Sequence, residues 1–380
     1  MSSERIEQLG AWALIGSAGA IQFSIAAGQI LLAVAVACWL AVIVMQRQPI
    51  TVPRMFWPLI AYAALTLVSA AFSPEPRTSL ADCKQLVLLL IVPMTYRLLI
   101  GTRAHVLVTV AVTAGAVSAA YGIFQYAILH YDSLGQRPQG TLGHYMTYSG
   151  LLMLVIGAAL ARILFGRSER TWAALVMPAL VVAVALTFSR NAWVGACAAA
   201  ALLFSLKDFR LLAVLPVAAA IFFGIAPSRV SARFNSIFDL NDPSNRDRLA
   251  MLREGAHMIG DHPLFGVGPN MVERVYVRYR VPEAEDKINP HLHNVPLQIA
   301  AERGLPALAA WLAFIAILCV DLARAFYTGE QRFLAAVGLA SAVSMAGAGM
   351  FEYNFGDSEF LMLFLMLVTL PFAAARRAST

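Results

Sequence analysis

Apolar residues run along this chain in long blocks separated by short polar breaks. Twelve such blocks can be marked: 9–26, 28–45, 55–72, 82–100, 104–129, 145–165, 172–188, 190–206, 210–226, 303–326, 332–353 and 359–375. A helix crossing the hydrocarbon core of a bilayer needs about 20 mainly apolar residues. The blocks are continuous rather than alternating with period two, so they predict helices and not the strands of a barrel. The expected fold is therefore an all-α polytopic integral membrane protein with about 12 transmembrane helices. Two pairs of blocks are nearly fused, one at Gly28 and one across Ser189-Arg190-Asn191.

Composition strengthens that reading. Hydrophobic residues make up 59% of the 380 and charged residues 13%. Soluble domains carry about 45–50% and about 25%. A soluble enzyme, a disordered chain and a disulfide-stapled secreted domain are all excluded. The N-terminal MSSERIEQ runs into an apolar block that continues into the next, which does not read as a cleaved signal. Basic residues are distributed unevenly between the short connections. Fourteen fall on one side, among them Arg47, Arg97, Arg162, Arg210, Arg324 and Arg377, against Arg77, Lys84, Arg137 and Arg190 on the other. The basic-rich side is expected to be cytoplasmic, which puts both termini there. The net charge of +6 is then a topology signal, and no nucleic-acid partner is implied. Cys38, Cys83, Cys197 and Cys319 form no C-x-x-C and are expected to pack as small apolar residues.

The chain reads as a single membrane domain over 1–380, with one long outer connection, 227–302, between the ninth and tenth spans. A connection this long is uncommon unless it is functional. It carries helical pieces. One is capped by Ser244 or Asn245 and runs through Ile259, with Arg248, Leu252 and Ala256 on one face. A second runs from near Pro269-Asn270 to about Arg280. Turns follow at Pro282 to Asp286 and at Asn289-Pro290.

Candidate chemistry gathers on the outer face. Arg190 stands at the outer boundary of two joined spans, where a charge is expensive unless it pairs or faces a polar pocket; the alternative is an arginine reaching out to the interface. Arg248, with Arg246 beside it, offers a guanidinium fork suited to phosphate, or else a solvated helix face paired with Asp247 and Glu254. His293, where the long connection re-enters the membrane, is a candidate general base. His291 and His293 are alternatively metal ligands with His262, His257 or Asp261, or His293 is a structural histidine. Gly266-Val-Gly268 is either an anion cradle or a tight turn. Arg137 and Lys84 add cations at the same level. Glu352, Asp357 and Glu359 add carboxylates that either orient a histidine or an arginine, or bind a hydroxyl, or are plain solvated loop residues. Span centres are nearly free of charge. Asp321 sits near an inner end with Arg324 three residues on, which argues against ion-coupled transport.

With these residues in view, the chain resembles the O-antigen ligase and polymerase superfamily, bacterial inner-membrane glycosyltransferases that use lipid-linked sugar donors. Ser189-Arg190 is similar to that family's Ser-Arg at the outer start of a span. Arg248 precedes the turn Pro263-Leu-Phe-Gly266-Val-Gly268 by fifteen residues, as the family arginine does. His293-Asn294, then Leu297-Gln298 and Glu302-Arg303-Gly304-Leu305, is similar to the re-entry motif. Leu252 departs from the pattern, since the family commonly has an aromatic there. The resemblance implies metal-independent transfer of a glycan from an undecaprenyl-diphosphate donor to a lipid A-core hydroxyl at the periplasmic face, without a cofactor. It assigns His293, Arg190 and Arg248 to catalysis. Arg246, Arg137, Lys84, His291, Asn294, Glu352 and Asp357 then surround the substrates. A polymerase or protein-glycosylating relative would differ only in acceptor. A lipid-linked sugar transporter would bind the same donor without a base.

Overall fold

The computed structural model describes residues 2–376 apart from Gln48, Leu240, Asp286 and Glu330, and only the backbone of Phe222, Phe223 and Ile225. Arg377 and Asp286, both used in the sequence reading, lie outside the described residues. The described chain is all-helical, with no strand. The N-terminal half contains α1 (Ser3–Ala20), α2 (Ile25–Gln46), α3 (Phe56–Ala71), α4 (Pro76–Asp82), α5 (Ile91–Leu98), α6 (Thr102–Ala127) and α7 (Tyr145–Phe165). Then come α8 (Arg170–Leu186), α9 (Arg190–Lys207) and α10 (Val214–Ile225). The long connection holds α11 (Ser228–Asn235), α12 (Pro243–Asp261) and α13 (Val272–Tyr279). The bundle closes with α14 (Val295–Thr328), α15 (Arg332–Gly349) and α16 (Ser358–Ala374).

All twelve apolar blocks fall on helices. Six helices among the described residues are long and apolar enough to cross a membrane, the fourth block counting as one through α4, a 3₁₀ segment and α5. Four shorter apolar helices accompany them, including α3, α8 and α16. α16 is buried on almost every side from Glu359 to Pro371, as a helix that is apolar all round should be when it forms the centre of a bundle. It packs on α5, α7 and α15, while α2 presents Ile30, Val34, Leu40 and Val44 outward. Asp321 does meet Arg324, at 3.7 Å, and is closer to Arg54, at 3.3 Å. The four cysteines are free thiols, although Cys197 is exposed rather than packed.

The long connection is a folded cap with its own small core, built from Met251, Met258, Val267, Met271, Val272, Tyr279 and Leu292. α12 begins at Pro243, ahead of the expected caps. Asn245 Nδ2 instead donates to the carbonyls of Ser236 and Asp239 at 2.9 and 2.8 Å. α13 is shorter than expected, and α11 was not anticipated.

The cap is fastened where α14 breaks. Gly304 has φ 82° and ψ 168°, a region open essentially only to glycine, and Pro306 follows with no N–H to donate. The break leaves carbonyls in the first turns of α14 without their helical partners. The turn at 263–268 supplies replacements: Val267 N–H donates to Ala301 O and Gly268 N–H to Glu302 O, both at 2.8 Å. In return Leu305 N–H donates to Pro263 O at 2.8 Å. Ser69 Oγ adds a second bond to Glu302 O, at 2.9 Å, and Ser79 Oγ holds Pro269 O at 2.8 Å. The Gly266-Val-Gly268 segment is thus a tight turn docked on α14, not an anion cradle. A Cβ on Gly304 would lie 2.1 Å from Leu264 O, and one on Gly266 2.3 Å from the Glu302 carbonyl.

Gly304→Ala should therefore destabilise the protein by about 2 kcal/mol or more, from forced backbone strain plus the lost interlock. Thermal unfolding in detergent checks this, with Gly224→Ala as the reference, since a Cβ there meets open space. Equal unfolding midpoints would refute the interlock.

Candidate active site

The N-termini of α7, α9, α14 and α16 gather at one end of the bundle, beneath the cap. Three cavities open there, of about 400, 360 and 330 Å³, the third lined by Arg248, His293, Asn294 and several apolar side chains. The first two, the larger and the smaller polar cavity, share Met146, Asn191 and His293.

The larger cavity is lined by four arginines, Arg137, Arg190, Arg233 and Arg248. Arg190 opens α9 after a turn in which Phe188 takes φ 55° and buries itself against Val230 of α11. Its guanidinium is 5% exposed. It donates to Ser236 O at 3.0 Å, Ser244 Oγ at 2.9 Å and Asp242 Oδ1 at 3.4 Å. Asp242 also lies 3.8 Å from Arg233. Arg190 is therefore neither a snorkelling residue nor a free one: it ties the start of α12 to the bundle. Arg248, two turns into α12, has no hydrogen bond or ion pair among the described residues, and its fork is open to the cavity. Arg137 stacks on the Tyr145 ring, 4.2 Å from its centroid.

Burial and mutual repulsion push Arg137, Arg233 and Arg248 down from their ordinary range. Arg233 is lowered to about 10 by burial, then by Arg190 and Arg137, with Asp242 opposing. Arg248 is lowered by burial and by Arg190. Arg137 is lowered chiefly by burial. The four arginines outnumber by one the carboxylates on the same wall, Asp242, Asp247 and Glu285. A dianion such as diphosphate would relieve that repulsion.

His293 stands between the two polar cavities with φ 47°, a conformation that L-residues adopt at a cost. Its Nδ1 is 2.9 Å from Glu352 Oε2, and the other Glu352 oxygen accepts from Tyr353 N–H at 3.0 Å. Burial alone would raise the Glu352 carboxyl. The His293 hydrogen bond, both nearby imidazoles and the Tyr353 N–H outweigh it, so the net shift is downward and Glu352 is a carboxylate. A carboxylate on Nδ1 fixes the tautomer with its lone pair on Nε2, the form a general base needs. His291 packs edge-on to His293, with ring centroids 4.2 Å apart, and burial lowers it to about 4, so it is neutral at pH 7. Ligand atoms of His291, His293 and Glu352 lie within 4.8 Å of one another, so these three side chains could hold a metal ion; the third ligand would be Glu352, not His257, Asp261 or His262.

The other expected site residues divide. Arg246 pairs with Glu285 at 3.0 Å, is half exposed and stays outside the arginine cavity, so Arg248 is the one aimed inward. Lys84 is exposed in the 3₁₀ segment between α4 and α5 and lines neither cavity. Asn294 caps α14 through Leu297 N–H at 2.9 Å and donates to Met350 O at 3.1 Å, so it locks the re-entry point. Asp357 caps α16 through Phe360 N–H at 2.9 Å, accepts from Thr147 Oγ1 at 2.5 Å, and lines the smaller cavity. Sequence reasoning missed Arg233, Asp242 and Asn354; Asn191, which beside Arg190 suggested a polar pocket, does line both polar cavities. Arg233 and Arg229 are one helical turn apart with the same local chemistry, and only the fold turns Arg229 outward to Asp132, at 2.7 Å.

Residues 179–312 match the family model described as O-antigen ligase. Over that segment, the chain is similar to the O-antigen ligase family. This family comprises glycosyltransferases of O-antigen ligase and polymerase type. The ligase-family segment covers a little over a third of the chain and contains Arg190, Arg248, His293 and the interlocked turn. Glu352, Asp357 and Arg137 come from outside it. No curated protein matches the chain.

Asp357 carries a pH dependence. Burial raises its carboxyl to about 7; hydrogen bonds from Phe360 N–H and Thr147 oppose this and Glu359 adds to it. In the unfolded chain it ionises near 3.8. Its contribution to stability is complete below about pH 4 and is lost as pH rises through 7. Asp357→Asn keeps the cap and cannot ionise. The wild-type unfolding midpoint should fall between about pH 5 and pH 8 more steeply than that of Asp357→Asn; identical slopes would clear Asp357.

Proposed function

We propose that the protein transfers a glycan from undecaprenyl diphosphate to a sugar hydroxyl of lipid A-core, as an O-antigen ligase. The observation that carries this is His293, set by Glu352 at the junction of an arginine-lined and a carboxylate-lined cavity. The donor diphosphate lies against Arg248, whose fork is open, and Arg190, Arg233 and Arg137 complete the positive field. The acceptor hydroxyl, bonded to His293 Nε2, attacks the anomeric carbon from the opposite cavity. The carbon–oxygen bond to phosphate breaks, polyprenyl diphosphate leaves, and the hydroxyl proton passes to His293. A single displacement inverts the anomeric centre. Charge grows on the leaving diphosphate, where fixed guanidinium donors stabilise it most. Glu352 steadies the imidazolium that forms.

In this reading the chain is one membrane domain of about twelve spans in the bacterial inner membrane. Residues 227–302 and the site face the periplasm, and both termini face the cytoplasm. The few charges away from this outer face, such as Asp321 with Arg54 and Arg324, are already paired, which favours surface chemistry over transport.

Purified protein, polyprenyl-diphosphate glycan and lipid A-core should yield joined product in EDTA. His293→Ala should lower the rate by roughly 10²–10⁴-fold, with some loss of stability because buried Glu352 loses its partner, and Arg248→Ala by about 10²-fold with an unchanged unfolding midpoint. Arg190→Ala should cost activity and stability together, because Arg190 also holds α12. Glu283→Ala, in the exposed pair with Arg253, should do neither. Donor-linked polymer instead of joined product would assign a polymerase. Loss in EDTA restored by a divalent cation would turn His291, His293 and Glu352 into metal ligands. Intact activity in His293→Ala would sink the base assignment.

A further inference from the structure

The two polar cavities at His293 differ in charge, and that difference constrains the acceptor; the third there is mostly apolar and carries Arg248, so it adds no site free of fixed cations. We infer that the smaller cavity is the acceptor site and that it selects an uncharged sugar, one bearing hydroxyls but no phosphate or carboxylate. The inference rests on the transferase reading above and adds the chemical class of the second substrate.

The cavity's volume, about 360 Å³, lies in the range of small-molecule sites. Its polar wall consists of Glu352, Asp357, Asn191, Asn354, His144 and His291; no lysine or arginine lines it among the described residues. Asn354 is 6% exposed and its Oδ1 has no hydrogen-bond partner among the described residues. The buried Nδ1 of His291 is likewise unpartnered. Buried polar atoms without partners cost free energy until something bonds them. Sugar hydroxyls both donate and accept, so they suit an amide oxygen, a carboxylate and a neutral imidazole together.

An anionic sugar would meet the opposite. Glu352 is held as a carboxylate by its partners. Helix N-termini offset it only in part: side chains of His144, Asp357 and Asn294 each accept one amide of α7, α16 and α14, and α9 alone of the four lacks a side-chain cap. The groups facing Asp357 are His144 and Thr147 from α7, Glu359 on its own helix, and Glu352, His291 and His293 across the cavity. None is a fixed cation. The larger cavity, by contrast, carries four arginines against three carboxylates, Asp242, Asp247 and Glu285. Diphosphate and acceptor therefore cannot exchange places about His293.

The test uses the full-length protein, polyprenyl-diphosphate glycan as donor, and two acceptors of equal chain length, an alkyl glucoside and the matching alkyl glucuronide. The glucuronide charge is fixed between pH 6 and pH 8, and the kcat/KM ratio cancels any ionisation common to both reactions. We expect the glucoside to be favoured at least tenfold at pH 8. The preference should shrink at pH 6, as Asp357 takes up its proton, and Asp357→Asn should show one preference at both pH values. Equal use of the two acceptors, or a preference for the glucuronide, would overturn the inference while leaving the transferase intact. A pH-dependent preference that persists in Asp357→Asn would remove Asp357 from the selection. Release of polyprenyl diphosphate with neither acceptor would instead overturn the transferase reading, and this assignment with it.

Discussion

Three backbone hydrogen bonds between the 263–268 turn and the broken start of α14 govern the geometry of the site. They answer a local deficit: Gly304 and Pro306 interrupt the helix, and buried carbonyls must find donors elsewhere. The donors sit nineteen residues after Arg248, on the far end of the same helix-turn segment. The acceptors begin eight residues after His293. One interlock thus sets the register between the arginine arriving from the cap and the histidine arriving from the re-entry point. Without it, the cap would have only its small methionine-rich core and side-chain contacts to hold it over the bundle.

Charge is arranged with the same economy. Arg190 uses its donors on Ser236, Ser244 and Asp242 and so orders the loop that presents Arg248, which is left with none. The two arginines that look alike in sequence have different physical tasks: one builds the cavity and the other remains open to it. Asp242, between Arg190 and Arg233, keeps the cluster from being purely repulsive while leaving it short of negative charge.

Much of this was readable from the chain. The apolar blocks located the helices because burial in a bilayer leaves a long, continuous signal. Arg190, Arg248 and His293 were found because their spacing to the re-entry motif resembles a known family, and the fold brings them to one place. The finer assignments were not readable. Arg246 and Arg248 differ only in which side of α12 they leave, and that depends on Glu285 from a distant turn. Asp357 and Asn294 read as substrate contacts, yet both close helix ends, because capping chemistry and ligand chemistry use the same side chains. Gly266 and Gly268 looked like an anion site because glycine permits close backbone approach, whatever does the approaching. Lys84 was placed by depth alone, and depth says nothing about direction around a bundle.

The left-handed backbone at His293 has a further meaning. The residue is kept in this costly conformation by its neighbours, with Asn294 locked to Met350 on one side and Glu352 fixed to the imidazole on the other. Under the proposed function, the conformational work of aiming His293 is done once, when the chain folds, and is not repeated at each turnover. Such a site would be preorganised, and the binding energy of a large donor would be left free to position the reacting carbon.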